Sequence, residues 1–358
     1  MTRVTFYGVR GSCPCSDAGV TRYGGSTSCV AVESDGSAVP LILDLGTGAR
    51  RLGIDLLERF APNEGVPAGA PGDGRGERGG PASDPQASVP DGAVSHYARP
   101  PLELHAFVTH LHFDHVQGLP FFGPALRPGT QMSIYGPRQA AGSLRGALEA
   151  FVRPPYFPVT LGELPAKLEM VELSDGAVEL GWATVRAREV PHIGSTLGYR
   201  VETGGVSVAY VSDHQGPQTP GGEQRPVPVA VLELCADADL VIHDAQYTYE
   251  EFAVKGHWGH STPAYALQVA LEAGARSLAL FHHDPTHDDE QLDRLARSVS
   301  MLPGADELES VFVAAEATSI ELVPSGRPAV RSSASGQLAG PESQAGRQSQ
   351  AGRGGQRS

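Results

Sequence analysis

Lysine is almost missing from this 358-residue chain. Only Lys167 and Lys255 occur, so nearly all of the 27 basic side chains are arginines. Against them stand 41 acids, giving a formal net charge of -14 and an isoelectric point near 5.3. That balance argues against a protein that grips nucleic acid mainly through its own charge, because such binding needs clustered Lys and Arg. Nucleic acid is therefore not expected as a partner. No apolar run approaches the ~20 residues of a membrane span, so no membrane partner is expected either. The opening MTRVTFYGVRG lacks the apolar core of a signal peptide and reads as a first strand, which points to a cytoplasmic protein. Cysteine is scarce too: Cys13, Cys15, Cys29 and Cys235. Cys13 and Cys15 stand one residue apart, too close for the usual zinc-ribbon pair, and no second pair exists. Free thiols in a reducing compartment are expected.

What is present is globular. Forty per cent of the residues are hydrophobic and 19% charged, enough for a sizeable core over this length. Two segments stand apart. Residues 61–100 are dense in Gly, Pro, Ala, Asp and Ser and carry no hydrophobic period, so they read as a flexible low-complexity insertion within one domain. Residues 325–358 read as a disordered, arginine-containing polar tail. The domain proper is expected over 1–324. Strands are expected at 4–9, 28–33 and 40–46, then a helix to about 59. A further strand, LELHAFVTH, is followed by a short helix near Asp114, a strand over 131–136 and a helix over 138–151. LEMVEL, ATVRAREV, TLGYRVE and VSVAYVSD read as strands, several with period-two alternation. Thereafter strands and helices alternate: ADLVIHDA, STPAYALQVALEAGA, SLALFHH, DDEQLDRLARSVS, SVFVA and SIELV. Ser261 or Thr262 with Pro263 marks a helix start. Strand-rich halves, each carrying helices, suggest two sheets packed face to face with helices outside.

The chemistry concentrates in VTHLHFDHVQGLPFF, residues 108–122. His110 and His112 lie on one side of an extended strand end, because side chains alternate there. Asp114 and His115 follow on a turn or first helical residues and can aim at the same space from another side. Imidazole nitrogens and carboxylate oxygens are ligands that zinc, manganese and iron accept. Two ligands on the strand and two on the turn suit two adjacent metals, and core packing does not explain the cluster. More ligands must come from elsewhere. His192, Asp213 and the pair His282–His283 each end an apolar strand, where a loop-built site collects its residues. Taken singly, each is as well explained as a cap or solvated turn residue.

HLHFDH, a later His, a strand-terminal Asp and a final His resemble the signature of the metallo-β-lactamase fold hydrolases. FYGVRGSCPC, TRYGGSTSCVAV, LILDLGTGARRLG, HDAQYT, GHSTP and LFHHDPTHDD extend the resemblance over about residues 3–323, the insertion apart. They look like the branch that contains phosphoribosyl cyclic phosphodiesterase and the tRNA-processing ribonuclease Z. The resemblance implies an α/β fold, a four-layer αββα sandwich of two packed mixed β-sheets with helices outside. It implies two divalent metal ions, zinc first, with manganese or iron as alternatives. One would be held by His110, His112 and His192, the other by Asp114, His115 and His282, with Asp213 bridging. His282 is preferred over His283 because the related enzymes carry His-x-x-Pro, which His282 to Pro285 matches. Asp44 matches an aspartate that orients the motif, although a turn-capping role before Gly46 fits nearly as well. His260 matches a Gly-His-Ser-Thr element whose histidine donates a proton or contacts the scissile phosphate; a helix-start residue is its plainer reading. His243 and Asp244 match a further block, with a supporting role. His96, His105, His214, His257 and His287 are left without a role. Dimers are common among the related enzymes, so a homodimer is an expectation of the same kind.

The expected activity is hydrolysis of a small or cyclic phosphodiester by a water that two metals activate, with Asp114 orienting the water and His260 protonating the leaving alkoxide. Three alternatives stand beside it. An RNA-processing nuclease of the ribonuclease Z type needs a basic arm, and the insertion, with Arg75, Arg78 and Arg99 among several acids, does not supply a convincing one. A thioester or lactone hydrolase on the same scaffold is a second. A binding protein without catalysis is the third, and no missing ligand position favours it.

Overall fold

The computed structural model describes residues 1–61, 101–140, 142–217 and 226–324. The expectations for the insertion beyond Ala61, for His96 and for the tail from 325 lie outside the described residues. Fourteen strands are described. The first sheet takes β1 (Thr2–Gly8), β2 (Cys29–Ser34), β3 (Leu41–Leu43), β4 (Leu102–Phe107), β5 (Thr130–Pro137) and β6 (Lys167–Leu173) in chain order. The second takes β7 (Gly176–Glu179), β8 (Ala183–Glu189), β9 (Leu197–Thr203), β10 (Val206–Val211), β11 (Leu240–Asp244), β12 (Ser277–Phe281) and β13 (Ser310–Val313). The last strand, β14 (Thr318–Leu322), returns to the first sheet and pairs antiparallel with β1. Both sheets are mixed. Strands β3 to β6 run parallel, as do β10 to β13.

Burial follows from residue type. β1 alternates buried and more open positions, as a strand with one face on the core must. β10 (VSVAYV) is buried throughout, because it is covered on both faces. Phe6, Phe107, Tyr199, Tyr210 and Phe281 fill the space between the two sheets. Outside the first sheet, α1 (Ala49–Arg59) and α3 (Leu144–Phe151) bury Leu52, Leu56, Leu144 and Leu148. Outside the second, α4 (Val229–Cys235), α6 (Pro263–Glu272) and α7 (Asp289–Ser300) bury Val231, Ala266, Leu292 and Val299. The result is the four-layer αββα sandwich expected from the sequence.

Most elements fall where the sequence puts them. Thr262 caps α6 by accepting from the Tyr265 N–H, with Pro263 at the first helical position. Differences lie in short pieces. The helix expected over 138–151 begins only at Leu144, where Ser143 supplies the cap. Strand β7 and the seven-residue helices α4 and α5 (Tyr249–Lys255) have too few residues to show a period.

Candidate metal centre

The C-terminal ends of β4, β10, β11 and β12 converge on one cleft between the sheets. β4 leads through Val108 and Thr109 into His110 and then α2 (Phe113–Val116), which carries Asp114 and His115. The loop after β8 brings His192, β10 ends before Asp213, and β12 ends before His282.

Together with His112, these six residues form two groups that meet at one carboxylate. Nitrogens of His110, His112 and His192 lie close enough to share an ion, as do ligand atoms of Asp114, His115 and His282. His110 Nε2 is 2.8 Å from His112 Nδ1, and His192 Nε2 is 3.4 Å from the same atom. In the second group, Asp114 Oδ2 is 3.2 Å from His115 Nε2 and 3.1 Å from His282 Nε2. Asp213 stands between the groups. Its Oδ2 is 3.1 Å from His115 Nε2, and its Oδ1 is 3.3 Å from His282 Nε2 and 3.8 Å from both His110 Nε2 and His192 Nε2.

Both Asp213 oxygens are fully buried, yet neither has a hydrogen-bond partner of acceptable geometry. A carboxylate in that position is costly unless a cation compensates it. The donor set passes the same test from the other side. His115 donates its Nδ1–H to Asp44 at 2.8 Å, His192 to the Gly259 carbonyl at 2.6 Å, and His282 to Gln246 Oε1 at 2.8 Å. Each bond leaves the Nε2 lone pair facing the cleft, the arrangement in which imidazole binds a metal. The set fits divalent ions.

The electrostatics agree. Burial pushes Asp213 and Asp114 upward, but the neighbouring histidines, His115 first, hold both well below the usual carboxylate range. Burial also opposes charge on His115, yet Asp213, Asp114 and Asp44 together hold it well above its ordinary value. The centre therefore favours positive charge where the carboxylates converge. Burial and the charge of His115 keep His110 well below its ordinary value, so it is neutral.

Behind the ligands lies a second layer. Asp44 is fully buried with φ at 61°, a left-handed conformation that is strained for a non-glycine residue. It accepts from the Thr109 N–H at 2.7 Å, from the Thr109 hydroxyl, from His115 and from the Tyr210 hydroxyl at 2.8 Å. Its capping alternative gives way to this orienting contact. Asp244 receives the Nδ1–H of His260 at 2.9 Å and three backbone N–H groups, those of His214, Gln246 and Ser261. The Ser12 N–H holds Asp114 Oδ2 at 2.7 Å. Gly259 explains itself: at φ 96°, a Cβ there would come within 2.5 Å of His192 Nδ1.

His282 and His283 separate cleanly. His282 also has φ at 61°, which turns its ring into the cleft. His283 Nε2–H instead donates to the Ala314 carbonyl at 2.8 Å, and burial pushes this imidazole down to about 3. His260 lines the cleft with Ser12, His112, Asp114 and Asp213 around a cavity of about 340 Å³. His243 does not reach it: its Nδ1–H donates to the Asp244 carbonyl, and its Nε2 accepts from His214. His105 pairs with Tyr135, and His287 with Glu251. All four cysteines are free, and none joins a metal-ligand group among the described residues. Sequence reasoning missed Thr109, Ser12, Gln246 and Tyr210, whose amide, hydroxyl and backbone groups leave no pattern.

Comparison with known proteins defines the class. The family model for the beta-lactamase superfamily domain matches residues 95–283, and the chain belongs to this family, as a metallo-β-lactamase fold hydrolase. Ribonuclease Z of Brevibacillus brevis is 30% identical over 262 residues, spanning 59% of this chain and 80% of that protein. Among solved structures, the short form of human tRNase Z superposes with a TM-score of 0.54 at 20% identity, covering 90% of this chain and 99% of that one. A diphosphatase from the PhnP family gives a TM-score of 0.54 at 18% identity, covering 90% and 98%. These relatives correct one expectation. Net charge argues against a nucleic-acid partner, whereas similar proteins are ribonucleases. Net charge sums the whole surface, but a metal centre reverses the field locally, so an acidic protein can still receive a polyanion there. Among the described residues no helix is long and apolar enough to cross a membrane.

Proposed function

We propose that this hydrolase is a metal-dependent phosphodiesterase that cleaves RNA, as the ribonuclease Z proteins similar to it do. The observation that carries the reading is Asp213: a buried carboxylate without a hydrogen-bond donor, flanked by two histidine-rich groups. The 30% identity across four-fifths of a ribonuclease Z favours RNA over other esters. His110, His112 and His192 would hold one divalent ion, Asp114, His115 and His282 the other, and Asp213 would touch both. Zinc, manganese and iron all accept such donors. When bound, two such ions supply a water of lowered pKa and positive charge for the phosphoryl oxygens.

The chain's own residues do the rest. Ser12 fixes the Asp114 carboxylate, so its free edge is available to orient water. His260, held through Nδ1 by Asp244, presents Nε2 to the cavity. With Nδ1–H committed to Asp244, Nε2 is the atom through which His260 would hand a proton to the departing alkoxide. A second reading is a small or cyclic phosphodiester. It is favoured by the cavity of about 340 Å³, which is the size of a small-molecule site.

The test presents zinc- and manganese-loaded protein with a 3′-extended transfer RNA, bis(p-nitrophenyl) phosphate and cyclic nucleotides. Endonucleolytic cleavage of the RNA, abolished by Asp213→Ala, is the expected result. Turnover of cyclic nucleotides alone would shift the substrate to the second reading. Bound metal without turnover of any diester would sink the phosphodiesterase reading.

A further inference from the structure

We propose that Phe113 is the stacking surface of a subsite for the nucleobase adjoining the scissile phosphodiester. The inference rests on the phosphodiesterase reading above and names the part of the substrate that this edge of the centre would take. Phe113 sits between His112 and Asp114, yet its side chain is 63% exposed, while Asp114 and His115 beside it are buried. The start of α2 forces this: the turn that sends the two ligands inward leaves Phe113 facing out. Its ring lines the same cavity as Asp114, Asp213 and His260. A group resting on it is therefore no more than one nucleotide from the reacting phosphate.

The ring is braced. Phe151, at the end of α3, lies 5.7 Å from Phe113 between centroids, at 60°. Phe113 is held from one side and open on the other. Two nearby stretches of sequence also leave aromatics exposed: Phe121 is 58% exposed and packs on Phe157, and Tyr156 is 76% exposed. Arg153, also exposed, lies two residues beyond Phe151 and offers positive charge in the same segment. The chain also leaves Ile193 and Trp258 exposed, next to His192 and close to His260 in sequence. Exposed aromatic faces beside a phosphate-handling centre are the features with which proteins hold unpaired bases, and every base has a face to stack.

The experiment compares two substrates with one leaving group: thymidine 5′-(p-nitrophenyl phosphate) and methyl p-nitrophenyl phosphate. Phe113→Ala is expected to raise KM for the nucleoside ester between roughly fivefold and a hundredfold, with kcat kept and the methyl ester unchanged. Phe113→Trp is expected to restore KM. Equal losses on both esters would show that Phe113 only supports the metal ligands and would overturn the proposal, as would no change on either. If the wild-type protein turns over neither ester, nor the RNA, bis(p-nitrophenyl) phosphate or cyclic nucleotides, the phosphodiesterase reading fails by itself. The subsite is then read by calorimetric titration of metal-loaded protein with adenosine 5′-monophosphate. Weaker binding by Phe113→Ala supports it, and equal or absent binding overturns it.

Discussion

The two sheets contribute to the candidate metal centre in opposite ways. The first delivers four of its residues, His110, His112, Asp114 and His115, from one turn after β4. The second delivers His192, Asp213 and His282 singly, from the ends of β8, β10 and β12. The first contribution is local geometry and survives any arrangement of the rest. The second exists only because parallel strands bring distant residues to one edge. Each of the two groups nonetheless needs both sheets: two residues from the first and one from the second. A cation held there joins the halves of the sandwich.

This comparison can be broken in order of expected effect. Asp213→Ala removes the one residue shared by both groups and is expected to lower phosphodiesterase turnover by roughly a thousandfold or more. Metal analysis should show fewer than two ions per chain. His282→Ala and Asp114→Ala take one residue from each sheet but the same group, so both should cost the same single ion. If the first-sheet substitution strips two ions and the second-sheet one strips one, the sheets are not equivalent partners.

Removing metal is the next largest effect. An ion present at a hundred times its Kd stabilises the fold by about 2.7 kcal/mol. A chelator should therefore lower Tm by several degrees, and zinc should restore it. A Tm that chelation leaves unmoved would mean that the sheets hold together without the centre. Asp44→Asn follows. It leaves His115 Nδ1 and Thr109 without their carboxylate, and is expected to cost roughly 2 kcal/mol in stability and roughly ten- to a hundredfold in metal affinity. Chemical denaturation and metal competition would measure the two.

The smallest effect tests histidines that serve the second sheet alone. Burial holds His214 and His243 below their ordinary 6.5. His243 is faced by His214, the Asp244 backbone and, across a ring contact, Tyr265. A group whose folded pKa is lowered binds protons first in the unfolded chain. Stability is therefore full above about 6.5 and is lost as pH falls below it. The Tm of His243→Gln should fall less steeply between pH 7 and 5.5 than that of the wild-type protein.

How much was legible follows the same division. HLHFDH announces itself because its residues are neighbours in sequence. His192, Asp213 and His282 were found only by asking which strands end in a ligand type, and each alone looks like a turn residue. The choice between His282 and His283 needed a pattern borrowed from related enzymes, since alternation cannot say which side of a strand end meets the cleft. In the structure the His282 ring faces Asp114 and Asp213, while His283 bonds to the Ala314 carbonyl. Thr109, Gln246 and Ser12 were illegible because hydroxyls, amides and backbone N–H groups occur everywhere, and only position gives them meaning. The strands were legible where alternation ran for six or seven residues and failed for the four of β7. The expectation against nucleic acid failed for another reason: composition reports the average surface, whereas the candidate site is one cleft.

Strand β14 sets a condition on how the protein is made. Thr2 pairs with Leu322, so the outer border of the first sheet stays open until residues 318–322 have been made. His282 emerges late as well. A nascent chain on the ribosome thus carries HLHFDH long before His282 can meet it. A chain stalled before residue 318 would present the bare β1 border, where it would pair with its neighbours.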